Sequence, residues 1–309
     1  MVRSYFLTES GRRLVFYGST TIVIGLFAGH YVPHTIAVSY IKDLFQAYKN
    51  GEKQLPSDKI QERFNRAVAL LKLSDFEQKY VSSFIVQGFD VYNAGSMKSR
   101  FGGVVGIPAN FEYTSAADIE KQDVVLQGRK INWSSEGGKL LEECLVLSED
   151  EQVFAIAREM LTLNSQKRLI QSIIPATVWY FTYNLASLVN SRNNLYVRPF
   201  SLRCLLYIIC GTFGFGVYSF ATDITEVHYE TSADRKLAAL GPDMVNAGAG
   251  FYDKVLKKNI AMRKLTGDDY YTAGGNVNYM LRQKAVPLTS RKDFFITGYK
   301  EFTNNEKAT

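Results

Sequence analysis

The sequence predicts an α-helical membrane protein with three transmembrane helices plus a soluble domain of mixed α and β structure. Three observations predict it. Leu169 to Ser191 and Cys204 to Thr222 contain no Asp, Glu, Lys or Arg, and neither does the run Leu14 to Ile41. Each is long enough to cross a hydrocarbon core of about 30 Å as a helix rising about 1.5 Å per residue. The intervening residues 42–168 are soluble in character, so the chain combines 46% apolar residues with a mean hydropathy of only −0.10.

The order of segments follows. Residues 1–13 are a basic amino-terminal segment with Arg3, Arg12 and Arg13 against a single Glu9. Residues 14–34 are the first span, most apolar from Leu14 to Val32, and longer than the apolar region of a cleaved signal peptide. Residues 42–168 form the soluble α+β domain, 169–191 the second span, 192–203 a basic loop, 204–222 the third span, and 223–309 a mainly helical soluble region. The loop carries Arg192, Arg198 and Arg203 and no acid. Short basic segments tend to stay on the untranslocated side, so Arg12, Arg13, Arg192, Arg198 and Arg203 set the topology. Residues 1–13 and 192–203 are expected on one side, and residues 42–168 and 223–309 on the other. Lys167 and Arg168 run against that expectation.

Within the soluble segments, Pro56-Ser57-Asp58 starts a helix whose apolar face is Ile60, Phe64, Ala67, Val68 and Leu71. Short β-rich runs, Val81 to Val86, Val104 to Ile107 and Val124 to Leu126, lie between glycine-bearing turns and predict a small sheet. Ser148 and Glu151 form a capping box, and the helix they start, with Phe154, Ala157, Met160 and Leu161, is expected to continue towards the second span. Gly241-Pro242 starts another helix, apolar at Phe251, Val255 and Ile260 and basic at Lys254, Lys257, Lys258, Arg263 and Lys264. Such a basic face lies on anionic lipid or packs, solvated, on the preceding domain; packing is favoured.

Candidate functional residues are sparse. Gly25 and Gly29 are in G-x-x-x-G spacing, with Gly18 seven residues earlier, a face on which another membrane helix can approach closely. Thr177, Tyr180, Asn184, Ser187 and Ser191 recur at three- and four-residue steps, which places them on one helix face. Hydrogen-bonding groups in hydrocarbon seek partners, so this stripe is expected either to pack on the glycine faces of the other spans or to dock another protein's membrane helix. His30 and His34, four apart, have no further histidine or paired cysteine to complete a metal or haem site. Cys144, Cys204 and Cys210 show no C-x-x-C spacing, which argues against a disulfide framework or a zinc site. No catalytic, cofactor-binding or metal residues are assigned, and no cofactor is expected.

Gly211 to Gly216 lies inside a span, where helix packing is the natural role for its glycines, and Gly102 to Gly106 lacks the pattern of a dinucleotide site. Asn132-Trp133-Ser134 is a formal glycosylation sequon. The net charge of +6 is scattered among acids, which argues against nucleic-acid binding. The absence of charges at depth argues against an ion-coupled transporter.

Four segments carry a resemblance: Gly103-Val104-Val105-Gly106-Ile107-Pro108-Ala109-Asn110-Phe111, Phe154-Ala155-Ile156-Ala157-Arg158-Glu159, Phe251-Tyr252-Asp253-Lys254-Val255-Leu256 and Tyr271-Thr272-Ala273-Gly274-Gly275-Asn276. In this order, with these hydrophobic spans, they resemble the transmembrane protein 177 family over nearly the whole length. The resemblance implies a multi-pass protein of the mitochondrial inner membrane, with residues 1–13 and 192–203 in the matrix and the soluble segments in the intermembrane space. It further implies a role in cytochrome c oxidase biogenesis, through association with newly made subunit 2 and its assembly chaperones. It supplies no catalytic residues. A carrier or channel for small molecules is the alternative, favoured by the polar stripe and opposed by the few spans; a membrane-anchored enzyme is a third class.

Overall fold

The computed structural model describes residue 5 and residues 8–49, 51–122 and 124–308; Arg3 of the basic amino-terminal segment lies outside them. In chain order its elements are α1 (Glu9–Tyr31), α2 (Val38–Phe45), β1 (Tyr48–Lys49), β2 (Glu52–Lys53), α3 (Asp58–Leu70), α4 (Asp75–Lys79), β3 (Val81–Val86), β4 (Tyr92–Gly95) and β5 (Gly103–Pro108). They continue with β6 (Val125–Leu126), β7 (Arg129–Lys130), α5 (Glu136–Leu145), α6 (Glu149–Leu163), α7 (Lys167–Arg192), α8 (Phe200–Ala238), α9 (Pro242–Thr266) and α10 (Leu288–Ala308). The chain divides into two compact units, the first of residues 1–34 and 166–226, the second of residues 35–165 and 227–309.

The first unit is helical. α1 begins at Glu9 rather than near Leu14, because Thr8 caps it by accepting a 3.1 Å hydrogen bond from Gly11 N. Arg12 and Arg13 therefore belong to the helix, and Arg13 pairs with Glu9 at 2.6 Å one turn earlier. α8 is a single helix of 39 residues, about 58 Å long at 1.5 Å per residue, nearly twice the thickness of a hydrocarbon core. The expected third span, 204–222, is only its amino-terminal part. No glycine or proline interrupts residues 217–240, so the helix runs on through the charges that follow Thr222.

Two helical stretches, Glu9–His34 and Phe200–Ala238, are long and apolar enough to cross a membrane; only 6% and 17% of their most apolar windows are buried inside the protein, unlike core helices. α7 has the length, at 26 residues, but is less apolar, with Pro175 within it. It does not continue α6: Asn164 caps the end of α6, and a Ser165 N to Thr162 O turn separates the two helices. The expected run from solvent into the bilayer is thus broken at residues 164–166.

α1 packs along α7, where Trp179 Nε1 donates to the buried Ser19 Oγ at 3.1 Å. α7 meets α8 where Asn190 Nδ2 donates to the Tyr207 hydroxyl at 2.8 Å, and at Gly214, whose absent Cβ would stand 2.3 Å from Thr182 Oγ1. Of the two basic residues that run against the charge asymmetry, Lys167 is ion-paired with Glu226 on α8.

The second unit is built around α6, not beside it. Val153, Phe154, Ala155, Ile156 and Ala157 are all fully buried, so every side of the helix is covered, by α3, α9 and the sheet. An all-round apolar stretch is what a central helix requires. The sheet has the order β3-β5-β4, with β5 parallel to β3 and antiparallel to β4. β5 is buried along its whole length, as a central strand covered on both faces should be. Val125–Leu126 pairs only with Arg129–Lys130, a small separate hairpin rather than part of that sheet. The caps at Ser57 and Ser148 and the proline start of α9 at Pro242 stand where local sequence put them. The basic face of α9 is ion-paired: Lys254, Lys257, Lys258 and Lys264 pair with Glu151, Glu143, Asp90 and Glu136 of the preceding residues, and Arg263 with Asp269 just after the helix.

Candidate functional site

The second unit contains a cavity of about 270 Å³ whose wall combines aromatic rings with charged groups. α6 supplies Arg158, α9 supplies Phe251, Lys254 and Lys258, and the loop after β3 supplies Asp90. Asn110 and Phe111 come from the turn after β5, and Tyr271 from the segment between α9 and α10. The four segments that carry the family resemblance, far apart in the chain, each contribute at least one of these residues. Sequence reading treated the segments singly and missed the convergence. The legible signal was a polar or charged side chain inside an otherwise apolar run, Asn110 after Val104 to Pro108 and Arg158 after Phe154 to Ala157.

The charges in this wall are held by neighbours. Arg158 bonds through Nε, at 2.9 Å, to Glu159. Burial opposes its charge, but Glu159 and the Tyr252 hydroxyl more than offset that, and the guanidinium is held protonated. Lys254 donates to Glu151 at 2.6 Å, and Lys258 to Asp90. The neighbouring Lys258 ammonium holds Asp90 below the ordinary carboxylate range. Asn110 is 5% exposed; its Nδ2 donates to Leu145 O at 2.9 Å, while its Oδ1 has no protein partner. Burial pushes the Tyr271 hydroxyl up to about 12. The wall thus presents fixed charge and one open acceptor at neutral pH, an arrangement suited to binding a polar group.

Burial likewise pushes the Cys144 thiol up to about 12. At pH 8 roughly one molecule in ten thousand then carries the thiolate. Iodoacetamide at that pH should leave the peptide containing Cys144 unmodified in the folded protein and alkylate it after unfolding, as read by mass spectrometry. The sign for stability follows. The folded state keeps a proton that the unfolded state releases above about 9, so this group's contribution falls as pH rises from about 9 towards 12.

The residues expected to act from the first unit lie elsewhere. Gly18, Gly25 and Gly29 are exposed, and a Cβ at any of them would meet open space. The contact of α1 with α7 uses the Ser19 side instead. Thr177, Tyr180, Asn184 and Ser191 are exposed and Ser187 is half-buried, so the stripe as a whole is not packed on the glycine faces of the other helices. Asn184 Nδ2 donates to Tyr180 O of its own helix at 2.7 Å. His30 Nδ1 lies 2.9 Å from Leu26 O, and no group of three or more metal-ligating side chains occurs among the described residues. Arg192 and Arg198 are exposed, whereas Arg12 and Arg203 line a second cavity, within the first unit.

The family model described as Transmembrane protein 177 matches residues 38–291. A protein of that name from Xenopus laevis is 30% identical over 87% of this chain and 89% of its own length. Those from Rattus norvegicus and Homo sapiens are 29% and 28% identical, covering 87% and 92% of this chain and 88% and 94% of their own. No solved structure matches. With a family match over most of its length and relatives of one name covered nearly end to end, the chain belongs to the transmembrane protein 177 family.

Proposed function

We propose that this chain is a non-enzymatic assembly factor of the mitochondrial inner membrane that supports cytochrome c oxidase biogenesis. In this role it associates with newly made oxidase subunit 2 and with that subunit's chaperone, and stabilises them. α7 is the third span beside α1 and α8. The arginine connector lies in the matrix, and residues 42–168 and 223–309 lie in the intermembrane space. Family membership supports the proposal, and one observation carries it: α1 and α7 meet through Ser19 and Trp179 and leave two unpartnered faces. One is the glycine series Gly18, Gly25 and Gly29; the other is the hydroxyl and amide stripe Thr177, Tyr180, Asn184 and Ser191. In hydrocarbon, small residues let a second helix approach and polar groups gain by hydrogen bonding across the contact. A membrane subunit awaiting its own partners offers such helices.

The test exploits the open space at these positions. A Cβ at Gly25 or Gly29 meets open space and Asn184 is exposed, so with Gly25→Leu and Gly29→Leu together, and separately with Asn184→Leu, the chain's own level in the membrane should stay unchanged. After brief labelling of mitochondrial translation, affinity purification of these variants should recover several-fold less labelled subunit 2 than the parent chain, since interhelical contacts contribute about 1 kcal/mol each. Equal recovery from both variants would overturn the proposal. Solute flux through liposomes holding the purified chain would instead return the carrier or channel alternative.

A further inference from the structure

We infer that the cavity of the first unit, at its arginine-bearing end, binds the headgroup of an anionic phospholipid carrying a free hydroxyl, of the phosphatidylglycerol kind. The cavity measures about 580 Å³. Its wall is made by the first turns of α1, the second half of α7, Tyr196 of the connector and the first turns of α8. Arg12 and Arg203 are the charged residues of that wall, and it contains no carboxylate. This differs from the cavity of the second unit, where the cations are matched by acids.

Two polar atoms in this wall are buried without a partner. One is Arg203 Nε, a donor; the other is Oδ1 of Asn190, an acceptor on a side chain 1% exposed. Asn190 is fixed by its Nδ2 bond to the Tyr207 hydroxyl, and the Arg203 guanidinium is fixed over the rings of Tyr196 and Phe200, at 5.6 and 5.2 Å. A held guanidinium with an unused Nε–H offers the planar fork that matches two phosphate oxygens. An unused amide oxygen in the same cavity wall asks for a hydroxyl or N–H on the ligand. Trp179, Ala186, Phe200 and Cys210 supply the apolar part of the wall, suited to the glycerol and upper acyl carbons. Basic pockets between membrane helices bind anionic headgroups for these reasons. A phosphodiester with a glycerol headgroup supplies both the anion and the donor, and phosphatidylcholine supplies neither net charge nor hydroxyl.

The inference rests on the first unit lying in a bilayer and is independent of any oxidase partner. The full chain is placed in phosphatidylcholine nanodiscs with Trp133→Phe as background, which leaves Trp179, in the cavity wall, as the one tryptophan. Quenching by brominated phosphatidylglycerol and by brominated phosphatidylcholine is then compared at equal mole fraction. Phosphatidylglycerol should quench Trp179 preferentially, and Arg203→Gln or Arg12→Gln should each lower the preference about fivefold, the effect of one basic residue at an anionic lipid. Arg12 is exposed on a helix surface, so its substitution keeps the test open if the Arg203 variant does not fold. Equal quenching by the two lipids, or a preference retained in both variants, would overturn the inference. Displacement of brominated phosphatidylglycerol by glycerol 3-phosphate in the buffer would assign the site to a soluble phosphate and overturn the lipid assignment.

Discussion

Asp234→Ala should destabilise the second unit by about 3–5 kcal/mol, the cost of leaving one member of a buried ion pair without its partner. Asp234 and Arg291 are 4% and 6% exposed. The carboxylate accepts from Arg291 Nε at 2.7 Å and from the second guanidinium nitrogen at 2.9 Å, and also from the Tyr252 hydroxyl at 2.8 Å. Arg291 stands over the Tyr252 ring at 4.8 Å. One aspartate therefore ties the end of α8 to α9 and α10. Its loss leaves a buried guanidinium with the Tyr252 ring and the longer, 3.3 Å contact to Glu230. The apolar triple variant Asp234→Leu, Tyr252→Phe and Arg291→Met should recover most of the loss, because it leaves none of these three groups unsatisfied. Proteolysis of the full chain in increasing urea measures both effects. An alanine variant as resistant as the parent would mean that the pair is solvated.

Phe154→Ala should cost a similar amount, about 3–5 kcal/mol, for a different reason: it removes a fully buried ring and leaves a cavity. Phe154 is the hub of an aromatic cluster, with ring centroids 5.6 Å from Phe251, 5.9 Å from Tyr252 and 5.2 Å from Phe295. α9 approaches this cluster at Gly248, where a Cβ would stand 2.7 Å from Phe295 Cδ1 and 2.8 Å from Phe154 Cε2. Gly248→Ala should therefore destabilise the parent, and less so once Phe154 is alanine, since part of the obstruction is then gone. The same urea series reads this coupling; strictly additive losses would mean that the two positions do not touch.

Both predictions concern contacts that sequence reading could not reach. Helical spacing along α6 picks out Phe154, Ala157, Met160 and Leu161, yet Val153, Ala155 and Ile156 are as fully buried as Phe154. Periodicity names an apolar face relative to water, and a helix covered by α3, α9 and a sheet has no water-facing side to contrast with. The α9 cations could have faced lipid or solvent on sequence grounds. Their partners decide, and Asp90 stands 168 residues from Lys258. The polar stripe on α7 was legible as a stripe from its spacing, but its exposure depended on the position of α1, which Trp179 and Ser19 fix across 160 residues.

The sequence by itself determined the features whose causes are local: the uncharged runs, the caps at Ser57 and Ser148, the proline start of α9, the β-rich runs that became β3 and β5, and the arginine connector. Capping hydrogen bonds span three residues, and hydropathy is a sum over neighbours, so both are written in adjacent letters. Only the tertiary structure decided which faces are covered. It gathered four distant segments around one cavity, and left Arg12 and Arg203 in the wall of another that contains no acid. Such packing and charge pairing depend on groups brought together from far along the chain, and helix periodicity carries no information about which groups those will be.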